Sequence, residues 1–360
     1  MSKKVLFRVD ASLEIGTGHV MRCITIAKVF KQHGFSSTFI CREHKGNLGN
    51  FIKNEGFDLF FLPASDLSYD FSSSGLAHAD WLGVDMAVDI AQTLSVAKHC
   101  CADYLVVDHY GIDYRWEVAA RELNLKIIVI DDLADRTHDC DFLLDQNLGT
   151  DPEHYTDLIP SHCQKLIGPT FSLLRPEFAK WRDFSLKRRK SPSLNTMLIS
   201  MGGVDQNNLS LAFLNVLANG FLDKEISVSV VLGSRSPWLD SILAVKDSYD
   251  FTVNLLVDVR NFAEIMANSD FAIGAAGTTA WERCCLGVPS LTMVIADNQK
   301  KVAAALAKNK ATVLYNQNLT MEENIRLALD VNNYEKLSSA FAAIVDGLGA
   351  DRVVERILYG

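Results

Sequence analysis

The sequence predicts an α/β protein made of two parallel-sheet halves, and three observations carry that reading. Apolar, strand-like runs alternate with segments of helical spacing along most of the chain. Several of the runs, among them YLVVD and KIIVI, are apolar almost throughout, as strands covered on both faces must be. The alternation restarts at Thr196 after a basic, polar stretch, and 360 residues suffice for two domains with ample cores.

The first strand is Lys4–Asp10, KVLFRVD, and the segment DASLEIGTGHVMR, Asp10–Arg22, leaves its carboxyl end. Val20, Ile24, Ala27 and Val29–Phe30 then recur at helical spacing as far as Gly34. Gly16-Thr17-Gly18 is therefore a strand-to-helix turn, and His19 falls in the first helical turn. Free N–H groups at a helix start disfavour added positive charge, which favours the neutral imidazole. A neutral imidazole takes a proton from water, so His19 is the candidate general base. The same residues also allow a plain tight turn with a capping or packing histidine. A dinucleotide fingerprint is incomplete here, because Met21 stands at the third glycine position.

The next strands are Ser36–Cys41 and Asp58–Leu62, with a short helix Asn47–Asn54 between them and a serine-rich loop Ser65–Asp80 after them. Helix Asp85–Cys101, strand Tyr104–Asp108, helix Asp113–Leu123 and strand Lys126–Ile130 follow. Asp141–Asp145 and Gln164–Ile167 read as further strands, and Arg175–Trp181 as a helix. Ligands of such a sheet sit beyond the carboxyl ends of the strands. Asp10–His19, Asp108–Gly111 and Asp131-Asp132 occupy that position. The aspartate pair admits a magnesium reading, but a strand-end turn with a capping role is preferred.

Arg182–Ser193, RDFSLKRRKSPS, has no apolar periodicity and reads as a solvated linker. The expected organisation is a domain at 1–181, a linker at 182–193, a second domain at 194–345 and a C-terminal helix at 346–360. In the second half, Thr196–Ser200, Ile226–Leu232, Phe251–Val257, Asp270–Ile273 and Leu291–Val294 are strands. Asn208–Leu217, Phe262–Ala267 and Gln299–Lys308 are helices, and Met321–Tyr359 is largely helical. Two Rossmann-like halves with a helical tail suggest the GT-B architecture, with the ligand expected between the domains.

A formal net charge of −9 argues against a nucleic-acid backbone or an anionic membrane as partner. Small anionic ligands remain compatible with it, because backbone N–H groups can hold a phosphate in an acidic protein. No leader is expected in MSKKVLFRVD and no apolar window approaches a membrane span, so a cytoplasmic protein is expected. The eight cysteines include no CxxC pair and read as reduced core thiols.

The second informative stretch is Gly274–Glu282, GAAGTTAWE. A strand runs into small residues and then a helix opening at Thr278 or Thr279. Small side chains let a diphosphate approach the backbone, and the helix start adds amide and hydroxyl donors. Glu282, one turn into the helix, can accept from a ribose diol, or else caps the helix as T-x-x-E. Gly202 and Gly203 at one strand end and Val259 at another belong to the same nucleotide side. Asn298 and Gln299 follow a further strand, where Asn298 alternatively caps a helix.

DASLEIGTGHVMR, DHYGID, DDLADR, MGG, GAAGTTAWE and ADNQ, in that order, resemble the UDP-sugar hydrolases of pseudaminic acid biosynthesis. That resemblance implies removal of UDP from UDP-2,4-diacetamido-2,4,6-trideoxy-β-L-altropyranose, with no metal or other cofactor. It makes His19 the base that activates water. It places Asp10, Gly18, Tyr110, Asn298 and Gln299 on the sugar side, and Gly277, Thr278, Thr279 and Glu282 on the nucleotide. GTTAWERCCLGVP is also similar to the nucleotide-binding segment of GT-B UDP-sugar enzymes, including the glycosyltransferase that makes lipid II. The expected activity is thus an inverting UDP-sugar hydrolase. A GT-B glycosyltransferase using the same sites is the alternative, and a nucleotide-sugar sensor without turnover is the third reading.

Overall fold

In the computed structural model, residues 3–65, 69–191, 193–220, 225–330 and 334–360 are described, with every side chain among them except that of Asn298. The chain forms two compact units, Met1–Leu173 with Gly349–Gly360, and Leu174–Leu348.

The first unit begins β1 (Lys4–Val9), α1 (Gly18–Gln32), β2 (Ser36–Arg42), α2 (Gly49–Asn54) and β3 (Asp58–Leu62). It continues α3 (Met86–Cys100), β4 (Tyr104–Asp108), α4 (Tyr114–Ala120), β5 (Lys126–Ile130), β6 (Phe142–Asp145) and β7 (Gln164–Ile167). All seven strands pair in parallel in the order β3-β2-β1-β4-β5-β6-β7. The order reverses between β1 and β4, so the switch point of this sheet lies beside the start of α1.

Alternation along β1 explains its apolar run. Val5, Phe7 and Val9 enter one core with residues of α1, while Leu6 enters a second with Leu105, Val107 and Trp116. Phe7 stacks on Phe39 of β2 at 4.8 Å between centroids. Arg8 interrupts the run yet is fully buried, its guanidinium meeting Asp10 and Asp89 at 2.7 Å each. Trp116 Nε1 donates to the same Asp89 at 2.9 Å. A buried charge is tolerated in such a strand only when it is paired in this way.

The second unit opens with α5 (Pro176–Arg188), β8 (Thr196–Ser200), α6 (Leu209–Leu217), β9 (Ser227–Leu232), α7 (Leu239–Val245), β10 (Thr252–Val257) and α8 (Phe262–Asn268). β11 (Phe271–Ala275), α9 (Thr279–Leu286), β12 (Ser290–Met293), α10 (Lys300–Lys308), β13 (Val313–Leu314), α11 (Met321–Ala328) and α12 (Tyr334–Ala342) complete it. Its six parallel strands run β10-β9-β8-β11-β12-β13, with the switch point between β8 and β11. The final helix, α13 (Gly349–Tyr359), belongs to the first unit and lays Val353, Val354 and Ile357 into the core that holds α1.

The doubly wound α/β halves form as the sequence predicts, but the expected linker does not. Residues 182–188 are the second half of α5, and the division falls at Leu173/Leu174. Pro192 lies outside the described residues. Two of the basic side chains, Arg182 and Arg189, serve helix ends inside the second unit. Arg182 donates to the carbonyls of Cys285, Ala342 and Val345. Arg189, 3% exposed, donates to the carbonyls of Gly287 and Ser269 at 2.9 Å each. Orphan carbonyls at helix C-termini attract cations, so a run that looks solvated in the sequence is an internal brace.

Candidate active site

His19 is the second residue of α1 and only 9% exposed. The first-turn caps are not side chains: Thr17, the N-cap residue, makes no side-chain cap bond. His19 instead reaches across the switch point to β4, where its Nδ1 lies 2.6 Å from Asp108 Oδ1. Asp108 is wholly buried; burial opposes its ionisation, but Arg22 and His19 overcome that and hold the carboxyl well below the ordinary range. An ionised carboxylate has no proton to give, so Nδ1 donates, and the neutral ring in this tautomer has its lone pair on Nε2. Among the described residues no hydrogen bond occupies Nε2. A carboxylate on one ring nitrogen and an open second nitrogen is the arrangement of a general base.

Arg22 lies one turn further along α1 and locks this pair. Its Nε and Nη2 donate to Asp108 at 2.6 and 2.7 Å, and its Nη1 to Asp132 Oδ2 at 2.5 Å. Tyr110 donates its hydroxyl to that same Asp132 oxygen at 2.6 Å, and its ring meets the His19 ring edge-on at 4.7 Å. Burial first, then Asp132, push the Tyr110 hydroxyl well above the usual phenol range, so it stays a donor. Trp81, in a short 3-10 turn Ala79–Leu82, stacks on Tyr110 at 5.5 Å and stands perpendicular to His19 at 6.0 Å. The structure thus joins His19 and Tyr110 to Asp108 and Asp132, which the sequence reading placed only as strand-end residues, and adds Arg22 and Trp81, to which it assigned no role. The three-residue spacing of His19 and Arg22 on one helix face is the signal that was there to find.

Asp10 is placed differently from expectation. It is 1% exposed; its Oδ1 meets Arg8 at 2.7 Å and accepts from the Arg42 amide at 2.6 Å, while its Oδ2 lies 3.3 Å from His109 Nε2 and has no hydrogen-bond partner among the described residues. His109 Nδ1 accepts from the Gly111 amide at 3.0 Å, which leaves the proton on Nε2, facing Asp10. Burial resists ionisation of Asp10, yet Arg8 and His109 hold it well below the usual carboxylate range. Asp10, expected on the sugar side, thus also ties the ends of β1, β2 and β4 together. Gly18 opens α1 immediately before His19, with nothing within 4 Å of the space a Cβ would take.

Asp131 and Asp132 form a turn, as preferred, but cap no helix. Asp131 accepts from the Ala134 amide and from Arg136 and Tyr155, while Asp132 takes Arg22, Tyr110 and Asn147.

In the second unit, β11 runs into Ala276, Gly277 and Thr278 before α9 begins. Gly277 and Thr279 are half-buried and Thr278 is exposed, so this loop faces outward at the carboxyl end of its strand. Thr278, the N-cap residue, makes no side-chain cap bond, and Thr279, the first residue of the T-x-x-E run, already lies inside α9 and accepts from Arg283, so the T-x-x-E cap does not form. Glu282 instead faces Arg175, whose Nη2 lies 3.5 Å from Oε1. Burial pushes the Glu282 carboxyl up to about 7 against the pull of Arg175. Gln299 approaches the loop, its Nε2 3.6 Å from the Cβ position of Gly277. Gly202 adopts φ +91 after β8, a conformation glycine supplies. The Gly203 carbonyl accepts from the Gly233 amide at 2.7 Å. Val259 follows β10 and is half-buried. Asn298 lies in a 3-10 turn Asp297–Gln299; its side chain is outside the described residues.

No family model matches the chain. Over 313 residues, 87% of this chain and 99% of the other, it is 28% identical to the UDP-2,4-diacetamido-2,4,6-trideoxy-beta-L-altropyranose hydrolase of Campylobacter jejuni. The chain is a relative of that hydrolase. Among solved structures, it superposes on MurG of Acinetobacter baumannii with a TM-score of 0.70 and 17% identity, covering 99% of each chain. A UDP-GlcNAc 2-epimerase of Neisseria meningitidis bound to UDP-GlcNAc gives 0.62 and 14%, covering 100% of each. At those identities the shared property is the architecture. The fold is GT-B, as the two doubly wound halves imply. Among the described residues no helix is long and apolar enough to cross a membrane.

Proposed function

We propose that this protein is an inverting, metal-independent UDP-sugar hydrolase that releases UDP from UDP-2,4-diacetamido-2,4,6-trideoxy-β-L-altropyranose. The observation that carries the reading is His19, with Nδ1 donated to Asp108 and Nε2 open. The relative's printed activity supports the same chemistry and the choice of sugar.

In this mechanism water attacks the anomeric carbon as Nε2 of His19 takes its proton. The new carbon–oxygen bond forms on one face while the bond to the UDP oxygen breaks on the other, so configuration inverts. Asp108 and Arg22 hold the imidazole in place, which is the entropic part of the rate. Tyr110, with Trp81 stacked behind it, forms the wall beside the base. UDP leaves as a stable anion and needs no strong general acid. The Gly277–Thr279 amides and hydroxyls receive the charge that grows on the diphosphate. Glu282 and Val259, with Gly202 and Gly203, belong to the nucleotide side, and Asn298 and Gln299 to the sugar.

The experiment supplies the UDP-sugar in water without any acceptor. Prompt release of UDP, with label from ¹⁸O-water in the sugar and an inverted anomer seen first by NMR, is the expected outcome. Release that requires an added acceptor alcohol, with the sugar transferred to it, would instead establish the glycosyltransferase reading.

A further inference from the structure

Against the loop Ala275–Thr279 lies a buried cation that the mechanism above does not use. Arg283 is 1% exposed. Its guanidinium donates to the Ala275 carbonyl at 2.9 Å, to Thr279 Oγ1 at 3.3 Å and to Thr292 Oγ1 at 3.4 Å. Its Nε has no hydrogen-bond partner among the described residues. All these contacts are to neutral oxygens. The carboxylate next to it in sequence, Glu282, pairs with Arg175 instead. Room for the guanidinium depends on Gly274, where a Cβ would lie 2.5 Å from Arg283 Nη1 and 3.0 Å from the Ser200 carbonyl. The burial is severe enough to bring the arginine down to about 10.

Burying a guanidinium without a counter-ion is costly, and neutral oxygens compensate it only in part. The cost falls when an anion arrives on the other side of a thin, low-dielectric loop. The loop that Arg283 grips is one of small residues at the carboxyl end of β11, leading into α9.

We propose that Arg283 is a positioning residue for a nucleoside diphosphate. It fixes the loop through Ala275 and Thr279, and its charge, supplied from beneath, is matched by the ligand's phosphates. This rests on the reading that the second unit holds UDP.

The test is calorimetric titration of UDP, UMP and uridine into wild type and into Arg283→Met, Arg283→Gln and Arg283→Lys, each checked for folding by its thermal melt. Arg283→Met and Arg283→Gln should weaken UDP by about 10-fold or more, UMP by less and uridine hardly at all. Arg283→Lys should recover most of the loss. If Arg283→Met does not fold, the comparison of Lys with Gln decides the matter in the same way. Unchanged UDP affinity in a folded neutral variant overturns the inference. So does an equal loss for all three ligands, which a purely structural role would give. A wild type that fails to bind UDP overturns the nucleotide reading, and this inference with it. A wild type that binds UDP beside variants that bind it equally overturns this inference alone.

Discussion

His19 is held by one nitrogen and, in the proposed mechanism, takes the proton through the other, so its replacement separates binding from chemistry. His19→Ala should lower kcat by roughly 10²–10⁴, the usual size of a general-base contribution, with UDP affinity unchanged. A variant that raises KM and keeps wild-type kcat would remove His19 as the base. Asp108→Asn keeps the shape but offers an amide to Nδ1, which allows the wrong tautomer. It should cost about 10²–10⁴ in kcat at equal UDP affinity, as tautomer loss does in other base–carboxylate pairs. Glu282 makes a different prediction. Its folded carboxyl lies near 7 because burial favours the neutral form. An unfolded glutamate titrates at about 4.3. The stability that neutral Glu282 contributes is thus fully present below the unfolded value and lost as pH rises through the folded one. Melting temperatures of Glu282→Gln and wild type should diverge in favour of the variant between pH 5 and pH 8. UDP affinity should rise over the same range in wild type only, because a carboxylate accepts both ribose hydroxyls. Glu282→Ala should weaken UDP by about 1–3 kcal/mol, the worth of a charge-assisted hydrogen bond.

α1 does two jobs, presenting His19 and Arg22 at its start and burying Ile24, Ala27 and Phe30 behind them. α13 packs on the same core from the far end of the sequence, and Gly349 starts it where a Cβ would stand 2.3 Å from the Ser172 carbonyl. Ile357→Ala should therefore destabilise the first unit by about 2–3 kcal/mol. Its kcat, measured well below the melting temperature, should match wild type; a selective loss of kcat would instead make α13 part of the catalytic machinery. α5 is the element whose character was hardest to see. Its first half was legible as the helix Arg175–Trp181, but its basic half reads as solvent-facing until the helix C-termini it braces are known.

Each half of the molecule has its own sheet switch point, between β1 and β4 and between β8 and β11, with candidate site residues at the strand ends and, in the first half, buried ion pairs beside them. In the first half those pairs already engage Asp131 and Asp132. UDP release should accordingly continue in EDTA. Loss on chelation, restored by magnesium or manganese, would show that this carboxylate pair has a metal to hold after all.

Strand and helix order, the parallel sheets and the two glycine-bearing turns were legible in the sequence because they rest on local period: apolar residues at two- or 3.6-residue spacing, and small residues where strands end. His19 and the Gly277–Glu282 stretch were legible for the same reason. Their partners were not. His19 meets Asp108 from 89 residues away, and Arg22 meets Asp132 from 110. Those meetings follow from the parallel register of β1 with β4 and of β4 with β5, which no local pattern encodes. The partners of Asp10 were hidden for the same reason, since Arg42 and His109 reach it only once β2 and β4 flank β1. Local spacing determines which faces are apolar; only packing decides which charges meet, because a buried charge takes the partner that the fold brings within about 3 Å.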